Sequence, residues 1–356
     1  MNEFIHLHNH SDFSLLDGAI SIDGLIDKAV ALQMPALALT DHGNMFGIPE
    51  FYKACLSRGV KPIIGSEFYL APESRLHKSG TQKDTQHFRL VLLAKDETGY
   101  RNLLKLSSIG YTEGFHYKPR IDDEVLKMHH QGIIALTACI EGEIPRLILT
   151  GQEERALEKA LYYRDLFGKD GFYLELQNQG ISDQKIVSKK MINIARQAGI
   201  PLVATNNVHY PNREDAIAQE ILICVRTKKK FSEEKRLKFE YPEFYFKSQE
   251  EMAELFADIP EALTNTRVIA DRCNVEIPFP GPQLPIFEVP VGFDSNSYLS
   301  KLAHQGLHNR YYPVTEQLKQ RLEYELSVIR TTGYAGYFLL VWDIVKFAHE
   351  AGIPVG

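Results

Sequence analysis

Two histidines near the start of the chain, His8 and His10, are separated by a single residue. On an extended segment, side chains two positions apart point to the same side, so both imidazoles can face one site. Neutral imidazole is a common metal ligand. An isolated pair of this kind is found in structural roles as often as in functional ones, so its meaning depends on other residues of ligand type.

Such residues recur just past predicted strand ends or, in one case, within a strand. They are Asp17, Asp41, His42, Glu67, Cys139 and His209. Individually, each has an ordinary structural explanation: Glu67 lies in an apolar strand and could pair with a lysine or arginine, and a buried Cys139 is a small apolar residue. Their coincidence at four of seven strand ends favours a shared metal site.

The elements that must position these side chains alternate between short apolar runs and amphipathic ones. Strands are predicted at 4–8, 36–40, 62–70, 88–94, 133–137, 172–176 and 201–205. Helical patterns lie between most of them, for example at 22–32 after Ser21, a good N-cap, and at 183–198 before Gly199, a natural helix stop. This alternation predicts an α/β fold with a parallel sheet, closed or nearly closed into a barrel, whose chemistry lies at the C-terminal strand ends.

Composition limits the classes of protein to be considered. The 356 residues carry a formal net charge of −6, which gives no general attraction to DNA or to anionic membranes. No apolar run approaches the 18 or so residues of a membrane span, and the N-terminus lacks the pattern of a signal peptide. The four cysteines form no C-x-x-C pair, which suits a reducing compartment. We therefore expect a cytoplasmic protein of about two domains, with no membrane contact.

The candidate ligands are too many for a single zinc ion. Imidazoles with carboxylates suit Zn, Mn or Fe better than Mg, and their number suggests two to three divalent ions. Closely spaced ions of this type activate water and hydrolyse phosphate esters. The sequence contains no Walker loop, G-x-S-x-G elbow or Rossmann fingerprint that would suggest another mechanism.

Five stretches, 5–11, 16–18, 38–43, 62–67 and 204–210, resemble the polymerase-and-histidinol-phosphatase (PHP) domain. The similarity is to the version at the N-terminus of the bacterial DNA polymerase III alpha subunit, which stretches at 99–104, 255–262 and 336–343 also resemble. The resemblance implies the PHP fold, a distorted seven-stranded (β/α)7 barrel of the TIM type. It also implies a replicative DNA polymerase, a nucleotidyltransferase, as the parent protein.

The PHP family places nine ligands around three metals. Eight matching positions carry a suitable side chain here: His8, His10, Asp17, His42, Glu67, His87, Cys139 and His209. His87 enters through the resemblance alone. The ninth position, an Asp in the family, is Asn207, which loses a charge and is expected to weaken one metal and to threaten hydrolysis. Asp41 is expected to orient His42.

The resemblance also suggests a domain organisation. A PHP domain is expected at 1–284, comprising a barrel core at 1–210, a helical extension at 211–276 and a Pro-rich connector at 277–290 that overlaps the C-terminal segment. Residues 285–356 are expected to be the mostly helical first part of the polymerase palm, ending before its metal-binding carboxylates. No Asp-x-Asp occurs in the chain, so no polymerase activity is expected from these residues.

Three functional interpretations are consistent with these residues. The first is a metal-dependent phosphoesterase that removes 3′-terminal nucleotides, a 3′–5′ exonuclease for proofreading. The second is a non-catalytic, metal-stabilised scaffold that docks a separate proofreading exonuclease subunit. The third is a stand-alone PHP phosphatase of small phosphate esters, against which the palm-like segment argues.

The implied partners are DNA, as a 3′ end or primer–template, together with the proofreading exonuclease subunit and other replicase subunits. Arg120 is a candidate phosphate contact, with a surface turn as the alternative. Glu175, in the sixth predicted strand, faces either the metals or a salt bridge.

Overall fold

A computed structural model describes residues 4–80, 87–239, 241–280 and 285–356. The chain divides into two compact units, Met1–Ile277 and Pro278–Gly356, and each has its own architecture. Within the described residues, no helix combines the length and the apolar character needed to cross a bilayer.

The first unit is built on one curled, mixed sheet. Its strands are β1 (Ala36–Leu39), β2 (Lys61–Leu70), β3 (Phe88–Ala94), β4 (Arg120–Ile121), β5 (Ile133–Leu136), β6 (Phe172–Leu176) and β7 (Leu202–Ala204). They run in the order β1-β2-β3-β5-β6-β7, with the short β4 paired to β2. The predicted α/β class is confirmed, and six of the predicted strands agree with the observed ones to within one residue at each end.

The expectation of a wholly parallel sheet is wrong for β3. This strand pairs antiparallel with both β2 and β5, whereas β1–β2, β5–β6 and β6–β7 are parallel. A parallel neighbour requires a crossover connection, usually a helix. The described part of the connection between β2 and β3 contains no helix, so the chain returns in the opposite direction.

The first predicted strand, 4–8, is an extended segment rather than a regular strand. The amide of Ala38 donates to the carbonyl of His6 at 3.0 Å, beside β1. On the other side, the amide of Val208 donates to the carbonyl of His8 at 3.1 Å, and the amide of His10 to the carbonyl of Val208 at 2.8 Å. The segment therefore lies between β1 and the chain that follows β7, which curls the sheet towards closure.

In the described part of the first unit, ten α-helices surround the sheet or extend it. They are α1 (Ile22–Ala31), α2 (Ile48–Ser57), α3 (Glu97–Thr112), α4 (Asp123–Met128), α5 (Glu143–Leu149), α6 (Glu153–Phe167), α7 (Ser182–Ala198), α8 (Ala216–Thr227), α9 (Gln249–Leu255) and α10 (Pro260–Arg272), with a 3-10 turn at Arg213–Asp215. The predicted caps are present: the side chain of Ser21 accepts from the amide of Gly24, and Gly199 ends α7 in the left-handed conformation.

Apolar side chains fill both faces of the sheet. Residues such as Leu37 and Leu174 face the helices, whereas Ala38, Val91 and Val203 fill the inside of the curl. Because side chains alternate along a strand, residues two positions beyond this inner layer lie on the same inner face. At one rim of the sheet those residues become polar, and the candidate ligands lie at this rim.

The second unit contains α11 (Ser295–Arg310), α12 (Glu316–Thr332) and α13 (Ala335–Glu350). The capping residues Asp294 and Thr315 accept from amides in the first turns of α11 and α12. The predicted mostly helical C-terminal segment is confirmed.

Candidate metal centre

The backbone brings residues that are far apart in the first unit's sequence to one rim. A bridge between Asn9 and Val208 places His8 and His10 beside Asn207 and His209. A second bridge, between His42 and Glu67, places the end of β1 beside β2. The candidate ligands therefore converge because the strands to which they are attached share one end of the sheet.

Three histidines point the same nitrogen into the cluster. His8 Nδ1 lies 2.7 Å from Glu175 Oε1, and His209 Nδ1 lies 2.8 Å from the backbone carbonyl of Asn207. Because these oxygens can only accept, each Nδ1 carries the proton and donates it. Each Nε2 is left as a free lone pair.

The third histidine, His10, is held through a serine. Ser14 Oγ donates to Asp41 Oδ1 at 2.6 Å, so it accepts from His10 Nδ1 at 3.1 Å. Burial, together with the charge of His42, holds the pKa of His10 well below its usual value, so the ring is neutral. Its Nε2 lies 3.0 Å from Asn207 Oδ1, so two lone pairs face each other, an arrangement that a shared cation would satisfy.

Glu67 lies at the centre of the cluster and is completely buried. Its Oε1 is 3.6 Å from His8 Nε2, and its Oε2 is 3.7 Å from His10 Nε2 and 2.5 Å from His42 Nδ1. Burial opposes ionisation, but the charges of Arg89 and His42 outweigh it and keep the pKa of Glu67 well below its usual range. The carboxylate is therefore ionised and available to a cation.

Asp17 and His42 form a second focus. Asp17 Oδ2 lies 3.3 Å from His42 Nε2 and 2.5 Å from Arg226 Nη1. Burial would raise the pKa of Asp17, but the hydrogen bond from His42 and the charges of His209, His42 and Arg226 lower it well below its usual value. Burial is the largest influence on His209 and lowers its pKa to about 4.

Among the described residues, two groups of three have ligand atoms close enough to hold an ion: His8, His10 and Glu67, and His10, His42 and His209. His10 belongs to both, but its Nδ1 is already bonded to Ser14, so its Nε2 can serve one ion at a time. We call His8, His10 and Glu67 the first set. We call Asp17, His42 and His209 the second set: Asp17 Oδ2 lies 3.3 Å from His42 Nε2, and Asp17 lines the same cavity as His209.

Several atoms of this cluster have no hydrogen bond within the described residues. They include His8 Nε2, Asp17 Oδ1 and Glu67 Oε1, all on buried residues. Leaving a buried polar atom unsatisfied is costly, so a native cluster of this kind implies a missing partner. A divalent cation fits this donor set of imidazole nitrogens and carboxylate oxygens.

Besides Asn207, two candidate ligands lie outside these sets. Cys139 is buried and lines the same cavity of about 280 Å³ as Asp17 and His209, and burial raises the pKa of its thiol strongly. His87 packs its ring edge-on against Tyr69, with ring centroids 5.0 Å apart, and lines a neighbouring cavity.

Asp41 and Arg120 make hydrogen bonds that the sequence did not predict. Asp41 accepts from the backbone and hydroxyl of Ser11 and from the hydroxyl of Ser14, so its link to a ligand runs through Ser14 to His10 rather than to the ring of His42. Arg120 is buried, and its guanidinium donates to the carbonyls of Gly114, Arg75 and His77. These bonds join the loops that carry the three carbonyls, and a role for Arg120 as a phosphate contact stays a prediction.

Sequence reasoning missed two residues of this site, Arg89 and Arg226, and left Glu175 undecided. Arg89 Nη1 lies 3.2 Å from Glu67 Oε2, and Arg226 pairs with Asp17. Glu175 is bonded to His8 and also accepts from Gln177 and Thr205. In a parallel barrel, site residues are expected at the ends of strands, so the position of Arg89 near the start of a strand did not indicate a role in the site. The available signal was the presence of an arginine in an otherwise apolar run.

Comparison with known proteins identifies two family models that match the chain. Residues 6–179 match the PHP domain, and residues 297–356 match the bacterial DNA polymerase III alpha NTPase domain. Among solved structures, an amidohydrolase from Chromobacterium violaceum aligns with 58% of this chain and 88% of its own, at 17% identity and a TM-score of 0.35.

The curated relatives extend the match to the whole chain. The DNA polymerase III subunit alpha of Treponema pallidum is 51% identical over 99% of this chain, and that of Borreliella burgdorferi is 52% identical over 100% of it. The chain spans 30% and 31%, respectively, of the lengths of these relatives. The chain therefore belongs to the PHP-domain family in the form found at the N-terminus of the bacterial DNA polymerase III alpha subunit.

Proposed function

We propose that the cluster is a polynuclear metal centre that hydrolyses phosphodiester bonds at the 3′ end of DNA. The observation that carries this proposal is the common orientation of His8, His10 and His209. Each ring has its Nδ1 tied to an acceptor and its Nε2 directed into one buried cluster. Such orientation by a second hydrogen bond is typical of metal-binding histidines.

The first and second sets would each hold one divalent ion of the Zn, Mn or Fe type. When bound, such ions lower the pKa of water and offset negative charge on a phosphate. Glu175 and Ser14 fix the rings of His8 and His10, and the completely buried Glu67 would offer a carboxylate beside them.

The cavity beside the second set offers a place for a nucleotide. Arg226 lines it and is 30% exposed at its side chain, so its guanidinium can donate to a phosphate. Leu237, Phe239 and Phe244 form an apolar wall of the same cavity, suited to a sugar or a base. A terminal nucleotide thus finds both a cation and an apolar surface next to the candidate metals.

The proposed setting is DNA replication in the cytoplasm, through a parent protein that polymerises DNA. The matched relatives carry the name DNA polymerase III subunit alpha. Primer–template DNA, a proofreading exonuclease subunit and other replicase subunits are the proposed partners. The second unit would be the first part of the polymerase palm.

A non-catalytic scaffold is the second candidate, and specific contacts favour it. Glu67 and Asp17 each have an arginine partner, Arg89 and Arg226, which offset the two acidic ligands without metal. Asn207 is neutral where the family pattern has an acid. In this case metal would stabilise the fold, and the domain would dock the proofreading subunit.

Metal analysis combined with a 3′-exonuclease assay distinguishes the two candidates. The catalytic proposal expects chelator-sensitive release of 3′ nucleotides that is lost in His8→Ala and retained in the control His130→Ala, whose ring bonds to the carbonyl of Lys127 outside the cluster. Unchanged release in His8→Ala would contradict it. Bound metal that raises the melting temperature without any release would support the scaffold instead.

A further inference from the structure

Arg89 lies at the rim that carries the candidate ligands because of the direction of β3. Tyr69 of β2 is the partner of Arg89, and Glu67 is the partner of Val91, so Arg89 and Glu67 are diagonal neighbours on the inner face of the sheet. Since β3 is antiparallel to β2, the start of β3 meets the rim where the parallel strands end. The position is therefore set by strand register.

The guanidinium of Arg89 is held between two acids. Nη1 lies 3.2 Å from Glu67 Oε2, and Nη2 lies 2.6 Å from Glu141 Oε2. The side chain is 17% exposed, and it lines the same cavity as Cys139. Its backbone is paired with Tyr69 of β2 on one side and bridged to Gly142 on the other, and both acids hold its guanidinium, so this charge is a fixed part of the cluster.

The two oxygens of Glu67 have different surroundings. Oε1 faces His8 Nε2 and has no hydrogen bond within the described residues, whereas Oε2 accepts from Arg89. A carboxylate that bridges two ions uses both oxygens. Here, Oε2 of Glu67 is already paired with a cation, the guanidinium of Arg89.

Two of the three candidate ligands outside the first and second sets lie on this same side. Cys139 borders Arg89 in the cavity, and His87 precedes Arg89 by two residues. Arginine cannot lose its proton at any ordinary pH, so its charge would repel a divalent ion placed among Glu67 and Cys139. Arg89 and a third ion would therefore compete for the same acids.

We propose that Arg89 stands in for one metal ion, so that this chain binds two divalent ions, in the first and second sets, rather than three. The proposal rests on the proposed metal centre, because it concerns how many ions that centre holds. It makes Cys139 a neighbour of the guanidinium rather than a metal ligand.

Metal stoichiometry tests this directly. The purified chain is stripped with chelator, loaded with excess Co²⁺, passed through a desalting column and analysed for metal and protein. We expect two ions per chain in the wild type and in Arg89→Lys, which keeps the charge. We expect three in Arg89→His, which replaces the charge with an imidazole ligand.

The absorption of bound Co²⁺ gives a second readout that reports on Cys139. A thiolate ligand produces a ligand-to-metal charge-transfer band in the near ultraviolet. We expect this band in Arg89→His and its loss in Arg89→His/Cys139→Ser, with no band in the wild type. Circular dichroism of each variant establishes that it is folded before metal is counted.

The outcomes distinguish this proposal from the proposed metal centre on which it rests. Three ions in the wild type, or a wild-type thiolate band, would overturn the role of Arg89 while leaving the metal centre in place. Two ions in a folded Arg89→His would also overturn it. No bound metal in the folded wild type would overturn the metal centre itself and this inference with it.

Discussion

The imidazole of His8 and the carboxylate of Glu175 form a fully enclosed hydrogen bond, with His8 Nδ1 2.7 Å from Glu175 Oε1 and both side chains inaccessible to solvent. The two residues are 167 positions apart in the chain. The bond fixes the ring so that Nε2 faces Glu67, and it increases the basicity of that nitrogen. Glu175 therefore acts on a metal through His8.

Glu175→Gln should weaken metal binding by roughly 10- to 100-fold, because the amide still accepts from His8 but no longer carries a charge. Competition with a chromogenic chelator measures the dissociation constant. The matched control is Glu143→Gln, which removes a charge from an acid paired with Tyr163 and Lys159. Equal affinities in the two variants would show that the charge of Glu175 does not reach the metal.

Asn207→Asp should raise metal affinity by about tenfold or more, equivalent to at least ~1.4 kcal/mol. The new carboxylate would lie next to His10 Nε2, which is 3.0 Å from Asn207 Oδ1. Asn207 has φ of 48°, a left-handed conformation that Asp tolerates well, so little strain is added.

Asn207→Gly is the control for this change, since glycine adopts the same backbone without strain but offers no ligand atom. Calorimetric titration of the three proteins with Mn²⁺ should give the order Asp, Asn, Gly in affinity. The hypothesis that position 207 is a ligand position would be lost if Asp and Gly bind alike. If the centre is catalytic, Asn207→Asp should also release nucleotides faster.

Most of the residues that the structure brings to one rim could be predicted from the sequence, because they follow predicted strands and the ends of neighbouring strands meet at one rim of a curled sheet. It could not place Arg89, since the rule that chemistry follows a strand assumes that all strands run the same way. The reversal of β3 moves the chemistry to the start of that strand. The sequence could not identify His8 as the partner of Glu175 either, because a contact between β6 and the first residues of the chain depends on how far the sheet closes.

Ser14→Ala should lower both stability and metal affinity. Ser14 Oγ donates to Asp41 and accepts from His10 Nδ1 and from the amide of His42, so its loss removes the acceptor of the buried His10 Nδ1 and of the His42 amide, and one of the donors to Asp41. We expect the free energy of unfolding to fall by about 2 kcal/mol or more. Chemical denaturation with and without metal measures both effects.

Ser11→Ala separates the two effects. Ser11 Oγ also donates to Asp41 and accepts from the amide of Phe13, but it has no hydrogen bond to a candidate ligand in the described part of the chain. This variant should lose a comparable amount of stability and keep its metal affinity. A similar loss of affinity in both variants would assign the effect to the loop rather than to the ring of His10.

Arg226→Gln should strengthen metal binding and weaken substrate binding. Arg226 Nη1 lies 2.5 Å from Asp17 Oδ2, so in the free protein it competes with a cation for that carboxylate. Once metal takes Asp17, the guanidinium is released towards the cavity that it lines, where a phosphate would meet it. Removing it should therefore lower the Kd for metal by several-fold and raise the KM for a 3′-terminal nucleotide, with a smaller change in kcat.

Arg236→Gln is the control, because Arg236 pairs with Glu220. A weaker metal affinity in Arg226→Gln would mean that the arginine supports the second set instead of competing with it.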